Sequence, residues 1–240
     1  MATTVQGSTL CLQDTVNITP EARVFAFASG TIFLQVNTGA PDDQFDSRPQ
    51  FRYFVDNDPL QFTVEKLNEI QEDTDYYYRY ISESRFRIAT SPDADPIPSF
   101  TTDSDDPDPA DNRELAASFK PYLPLGEVVS MAMAAGSNTV LDQSLISDTH
   151  RTRLTGLKDF GQATFELLAN EADADRLYIA KSGTALRRFR YFQPGDPIGR
   201  QPAITIPGYL TQMTLTSAVD DLLRISITVE SSGKVEYQNR

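Results

Sequence analysis

Along most of this chain apolar and polar positions alternate with a period of two, the pattern of half-buried β-strands. The stretch 207–233 shows it most clearly. Leu223, Ile225, Ile227 and Val229 alternate there with Arg224, Ser226, Thr228 and Glu230. On the preceding run Tyr209, Met213 and Leu215 share a face, and a short acidic connection, Ala218-Val219-Asp220-Asp221, joins the two. The pattern predicts a hairpin that ends near Gly233.

The same reading gives a hairpin over 21–39, where Phe25 and Phe27 precede Ser29-Gly30 and Ile32, Leu34 and Val36 return. Further strands are expected at 50–55, 60–64, 76–81 and 85–89. In the second half they are expected at 126–134, 140–146, around Ala163, Phe165 and Leu167, and at 186–192. Residues 147–159 read as a polar loop. The period changes only at Glu171–Ser182. There Asn170 suits an N-cap, Glu171 and Asp173 suit the positive helix start, Lys181 suits the last turn, and Gly183 ends the run. Leu177 and Tyr178 are placed on the packing side of this one helix. The expected fold class is mainly β, a β-sandwich or barrel with one flanking helix.

Charge divides this picture in two. Residues 1–120 hold 21 acids and 9 bases, whereas 121–240 hold 13 and 12. Residues 91–114, rich in Pro and Asp, read as an exposed loop. The expected organisation is a first strand within 1–19, an acidic β-rich module over 20–112, and a core domain over 113–240. A net charge of −13 disfavours wrapping of nucleic acid through its phosphates, but not a surface past which DNA slides. No apolar run is long enough to span a bilayer, and MATTVQGSTL has no charged-then-apolar signal pattern, so neither membrane insertion nor a secretory leader is expected.

Candidate chemistry is thin. One histidine, His150, and one cysteine, Cys11, cannot build a His/Cys metal cluster. The aspartates from Asp103 to Asp111 lack the glycine that a calcium loop needs: Asp108 stands at its sixth position. There is no G-x-S-x-G elbow, phosphate-binding loop or dinucleotide-binding glycine motif. Enzymatic activity and cofactors are therefore not expected. Arg187, Arg188 and Arg190 form a basic cluster, read as a solvated strand face or as subunit contacts made by Arg188 and Arg190. Tyr76, Tyr77, Tyr78 and Tyr80 raise a glycan-platform alternative, weighed against their being core.

Four passages occur in a telling order: GEVVSMAMA from Gly126, LTGLKDFGQATFEL from Leu154, the acidic-start helix, and GYLTQMTLTSAVDDLLRISITVESSG from Gly208. Together they resemble the tail tube (major tail) proteins of long, non-contractile, siphovirus-type bacteriophages. TDYYYRYISESRFRIATSPDADPI, from Thr74, resembles a short β-module of phage structural proteins. The resemblance implies a virion structural protein whose copies form a hexameric ring. Stacked rings would make the tube through which DNA is ejected.

Implied partners are further copies of the chain and the terminator, tape measure and distal tail proteins. DNA would pass without specific binding. The implied location is the virion tail, with assembly in the host cytoplasm. Glu166 is then the candidate lumen-facing residue. The loop bearing His150, Arg151, Arg153 and Asp159 is the candidate ring-to-ring contact. A ring-forming terminator or hub is the alternative within the same class.

Overall fold

The computed structural model describes residues 8–14, 23–27, 30–34, 51–62, 69–71, 74–82, 85–100, 114–134, 138–142, 153–158, 161–194, 202–219 and 222–239. It is mainly β, with one α-helix among the described residues. The chain forms two compact units, one of residues 1–12 with 124–237, the other of 13–123 with 238–240.

The first unit is built on a seven-stranded sheet. Its strands are β1 (Thr9–Gln13), β8 (Tyr122–Met133), β11 (Gln162–Ala169), β12 (Arg187–Phe192), β13 (Pro202–Val219), β14 (Leu222–Ser231) and β15 (Glu236–Asn239). They lie in the order β12-β1-β8-β11-β14-β13-β15, and a further β12–β13 pairing joins β13 back to the start. The unit boundaries fall inside β1, β8 and β15. A separate two-stranded ribbon pairs β9 (Asn138–Asp142) with β10 (Arg153–Lys158). The expected polar loop therefore contains a strand. Its Leu154 and Leu157, separated by Thr155 and Gly156, gave too short an alternation to be read as one.

The long strand β13 changes neighbours at Gly208. Residues 203–208 pair with β12, ending at Gly208 opposite Arg187. Gly208 also pairs with Ser231, and β14 then accompanies β13 as far as Val219 opposite Leu222. Residues 209–219 thus run on past the end of β12. Glycine is needed at the change-over, because a Cβ on Gly208 would stand 2.3 Å from Glu230 O. Gly126 in β8 marks another close approach, without a change of partner. It has φ +114°, and a Cβ there would meet Leu168 O at 2.2 Å.

The core of this unit is the inward face of the sheet. Phe165, Leu167, Ile225, Ile227 and Val229 are buried there with Leu177 of the helix α1 (Glu171–Ser182). The helix begins as expected: Asn170 Oδ1 accepts from the Asp173 N–H at 2.9 Å. It buries Asp173, Ala174, Leu177 and Ala180 and packs on β13 and β14. Tyr178 departs from expectation. It is 67% exposed, because the buried positions 173, 174, 177 and 180 define a face from which position 178 is turned away.

The second unit is a closed barrel in the order β2-β3-β6-β5-β4-β7. These strands are β2 (Arg23–Phe27), β3 (Thr31–Leu34), β4 (Pro59–Phe62), β5 (Tyr76–Ser82), β6 (Arg85–Ala89) and β7 (Glu114–Ser118). Among the described residues, closure gives each of the six strands a neighbour on both sides. Aromatic rings fill the interior: Phe51 lies 4.6 Å from Phe119, and Tyr78 lies 4.8 Å from Phe86.

The expected strand at 50–55 is instead a turn in which the Phe54 N–H donates to Phe51 O. Buried Phe51, Phe54 and Val55 stand at helical spacing, i, i+3 and i+4, rather than alternating. A second turn follows, with Asn57 at φ 72° and the Asp58 carboxylate accepting from the Val55 N–H at 2.8 Å.

Replacing Gly208 by alanine is expected to cost about 1–3 kcal/mol, since strand backbone must shift. Chemical denaturation of the purified chain checks this. Unchanged stability would mean that β13 and β14 do not approach so closely.

Candidate functional site

The outward face of the sheet follows from the alternation of β11. Ala163, Phe165, Leu167 and Ala169 point into the core, so Gln162, Thr164, Glu166 and Leu168 point away. Register then decides what surrounds them. Glu166 stands opposite Ser130 of β8 on one side and Ser226 of β14 on the other, and Ser226 stands opposite Thr214 of β13. The next row is Ala132, Thr164, Thr228 and Gln212. Across four strands these two rows are hydroxyl, amide and methyl apart from Glu166; the flanking rows add Leu168 and Tyr209 and the remaining charges.

Those charges are mostly negative. Among the described residues Glu127, Glu166 and Glu230 lie on the face, against one cation, Arg224. Arg224 is not left to bind a visiting anion, because its guanidinium sits 3.4 Å from Glu166 Oε1. Ser130 Oγ donates to the other carboxylate oxygen at 3.2 Å. Both partners of the ion pair are solvent-accessible, so the pair contributes little to stability. Its effect is on the surface: the arginine's charge is neutralised, and hydroxyls that carry no charge occupy the rest. Among the described residues of this face a phosphate backbone meets one cation, and that one is paired with a carboxylate.

The other predicted residues are placed differently. Arg190 is wholly buried and donates from Nε to Thr205 Oγ1 at 2.9 Å, so it is neither a solvated face nor an exposed subunit contact. β12 has strands on both sides and is buried on both faces from Phe189 to Phe192, which the alternation of Arg with aromatic residues concealed. Arg188, opposite Pro207, stays half-buried. Arg153 opens β10, while His150, Arg151 and Asp159 lie outside the described residues.

The tyrosine platform is not assembled. Tyr76 and Tyr78 are 2% and 1% exposed, inside the barrel of the second unit. Ser130 and Arg224 were not found from the sequence. They stand far along the chain from Glu166, and only strand register brings them together. Near the same sheet, burial pushes the Tyr191 phenol above its ordinary range, while a hydrogen bond with Ser8 acts the other way.

Among the described residues no three His, Cys, Asp or Glu side chains gather to hold a metal ion. No helix among them is long and apolar enough to cross a membrane. Comparison with protein-family models and with curated proteins finds no match.

Two outcomes are expected from the arginines. Arg190→Ala removes a buried side chain and its bond to Thr205, and should cost roughly 2–4 kcal/mol in the unassembled chain. Arg188→Ala should cost less than about 1 kcal/mol. Thermal unfolding of both variants checks the contrast, and equal small losses would contradict the burial of Arg190. For Tyr191 the raised pKa fixes the sign. Its contribution to stability is full below pH 10.0, the ordinary tyrosine value, and is lost as the pH rises through the higher folded value. Tyr191→Phe should therefore flatten the alkaline limb of a pH–stability curve.

Proposed function

We propose that this chain is a structural protein whose copies assemble edge to edge into a ring, and that stacked rings form a phage tail tube through which DNA passes. The observation that carries the reading is the outward face around Glu166, polar and net acidic, with its one arginine held by Glu166. Such a face suits the wall of a conduit that must not retain DNA.

The strand that runs past β12 supports the same reading. Residues 209–219 have β14 as their registered partner and extend beyond β12, while β15 also pairs with β13; the reading gives the length past β12 to a strand of the next copy. Head-to-tail contacts of that kind close into rings. Leu215, 57% exposed on this length of strand, would gain cover from such a neighbour. The ribbon of β9 and β10, set apart from the main sheet, is the element the reading gives to ring stacking, in place of a plain loop. The reading assigns no catalysis and no cofactor. Buried Tyr76 and Tyr78 leave the glycan-binding alternative without its platform.

The test uses the purified chain and negative-stain electron microscopy. Long tubes are expected. Single rings would assign the chain to the terminator or hub class, and featureless monomers would overturn the proposal. Glu166→Lys combined with Thr228→Lys should leave tubes intact but make them retain double-stranded DNA at low salt. Tubes of the unaltered chain should release it.

A further inference from the structure

We propose that the outer face of β3, β6 and β5 in the second unit is a docking surface for the acidic 91–95 loop of the same unit in a second copy of the chain. The alternation of β5 and β6 puts Tyr76, Tyr78, Phe86 and Ile88 inside the barrel. Arg79, Ile81, Arg85 and Arg87 therefore project outward, next to Phe33 of β3. Register gathers them: Arg79 stands opposite Arg87, and Arg85 stands opposite Phe33. The Arg85 guanidinium lies 4.6 Å from the centre of the Phe33 ring, while Ile81 is 46% exposed.

Two features mark this strip as more than an ordinary strand face. It is basic on a unit that holds 21 acids and 10 bases. It also places like charges directly opposite one another across a strand pair, which costs stability. The three arginines are treated differently. Arg79 is tied down on the outer face by Asn57 Oδ1 and by the carbonyls of Pro92 at 2.6 Å and Ala94 at 3.3 Å. Arg85 and Arg87 stay exposed, two residues apart on one face, and offer guanidinium forks that suit carboxylates.

The bonds that hold Arg79 also fix the occupant. They pin the 91–95 loop, which is tied further by the Ala94 N–H to Ser91 O at 3.2 Å and the Ile97 N–H to Ile88 O at 2.9 Å. On that loop Asp93 and Asp95 are exposed. The unit thus presents two carboxylates on a braced loop and two arginines on a rigid strand, a charge-complementary pair that two copies can exchange. A long polyanion is the poorer fit. The strip spans only a few residues, which matches a short loop carrying two carboxylates and not an extended chain of phosphates or sulfates.

The inference rests on the proposed assembly for bringing copies together, and a cross-link separates the two. Chains carrying Arg87→Cys are mixed with chains carrying Asp93→Cys and oxidised, with micrographs taken of the same samples. The buried Cys11 is the one other thiol. The expected result is a mixed disulfide dimer several-fold above either like-with-like dimer, falling away at high salt and in the Arg85→Glu background.

No excess of the mixed dimer overturns the docking, whether or not tubes form. Tubes without it leave the proposed function standing alone. Tighter binding of the unaltered chain to heparin than to itself also overturns the docking, in favour of a polyanion. Unchanged thermal unfolding of each cysteine variant guards against loss of fold.

Discussion

One long strand, β13, serving β12, β14 and β15 is the constraint on which the first unit depends. Up to Gly208, β13 hydrogen-bonds to β12; from Gly208 onward β14 is its registered partner. The backbones approach so closely there that a Cβ would overlap Glu230 O, so the change-over requires glycine. Two consequences follow. The pairing with β12 carries β13 back to the start of the strand order. The remainder of β13 extends past β12 and so carries the polar face beyond that strand's end.

The polar face owes its character to what it lacks as much as to what it holds. A period-two strand must put alternate residues outside, and in most sheets that face is a mixture of both charge signs. Here hydroxyls and amides predominate, three carboxylates are dispersed among them, and the one arginine is turned onto Glu166. No chemistry is needed to explain such a surface. The proposed conduit role would account for it: strong attraction to phosphate is avoided without building a field so negative that copies of the chain would repel one another.

Legibility in the sequence followed the range of the interactions. Helix α1 was readable from Asn170, Glu171, Asp173 and Gly183, because capping acts within one turn. The 207–233 hairpin was readable from alternation, which is local too, but a bulge between Leu210 and Gln212 puts Tyr209 on the face of Glu230, opposite to Met213 and Leu215, whose face it was expected to share. What could not be read depended on register or on burial from both sides. Arg190 sits in an alternating strand that ordinarily means one wet face, yet β12 is covered on both. Tyr178 adjoins Leu177 and shares its apolar character, but the step of about 100° per residue along a helix turns it off the buried face. Phe51 and Phe54 were taken for strand residues, although their i, i+3 spacing suits the turn they form. Ser130 and Arg224 meet Glu166 only because β8 and β14 lie on either side of β11. The boundaries at 19 and 112, drawn from composition, stand beside compact units that divide after residues 12 and 123.

The measurement that bears most directly on this account is a side-chain-resolution electron cryomicroscopy map of the assembled protein. The account predicts a continuous bore lined by the face that carries Glu166, Ser130, Thr164 and Thr228, with residues 209–219 of one copy beside a strand of the next. A map in which that face points outward, or in which another surface of the chain lines the bore, would contradict it.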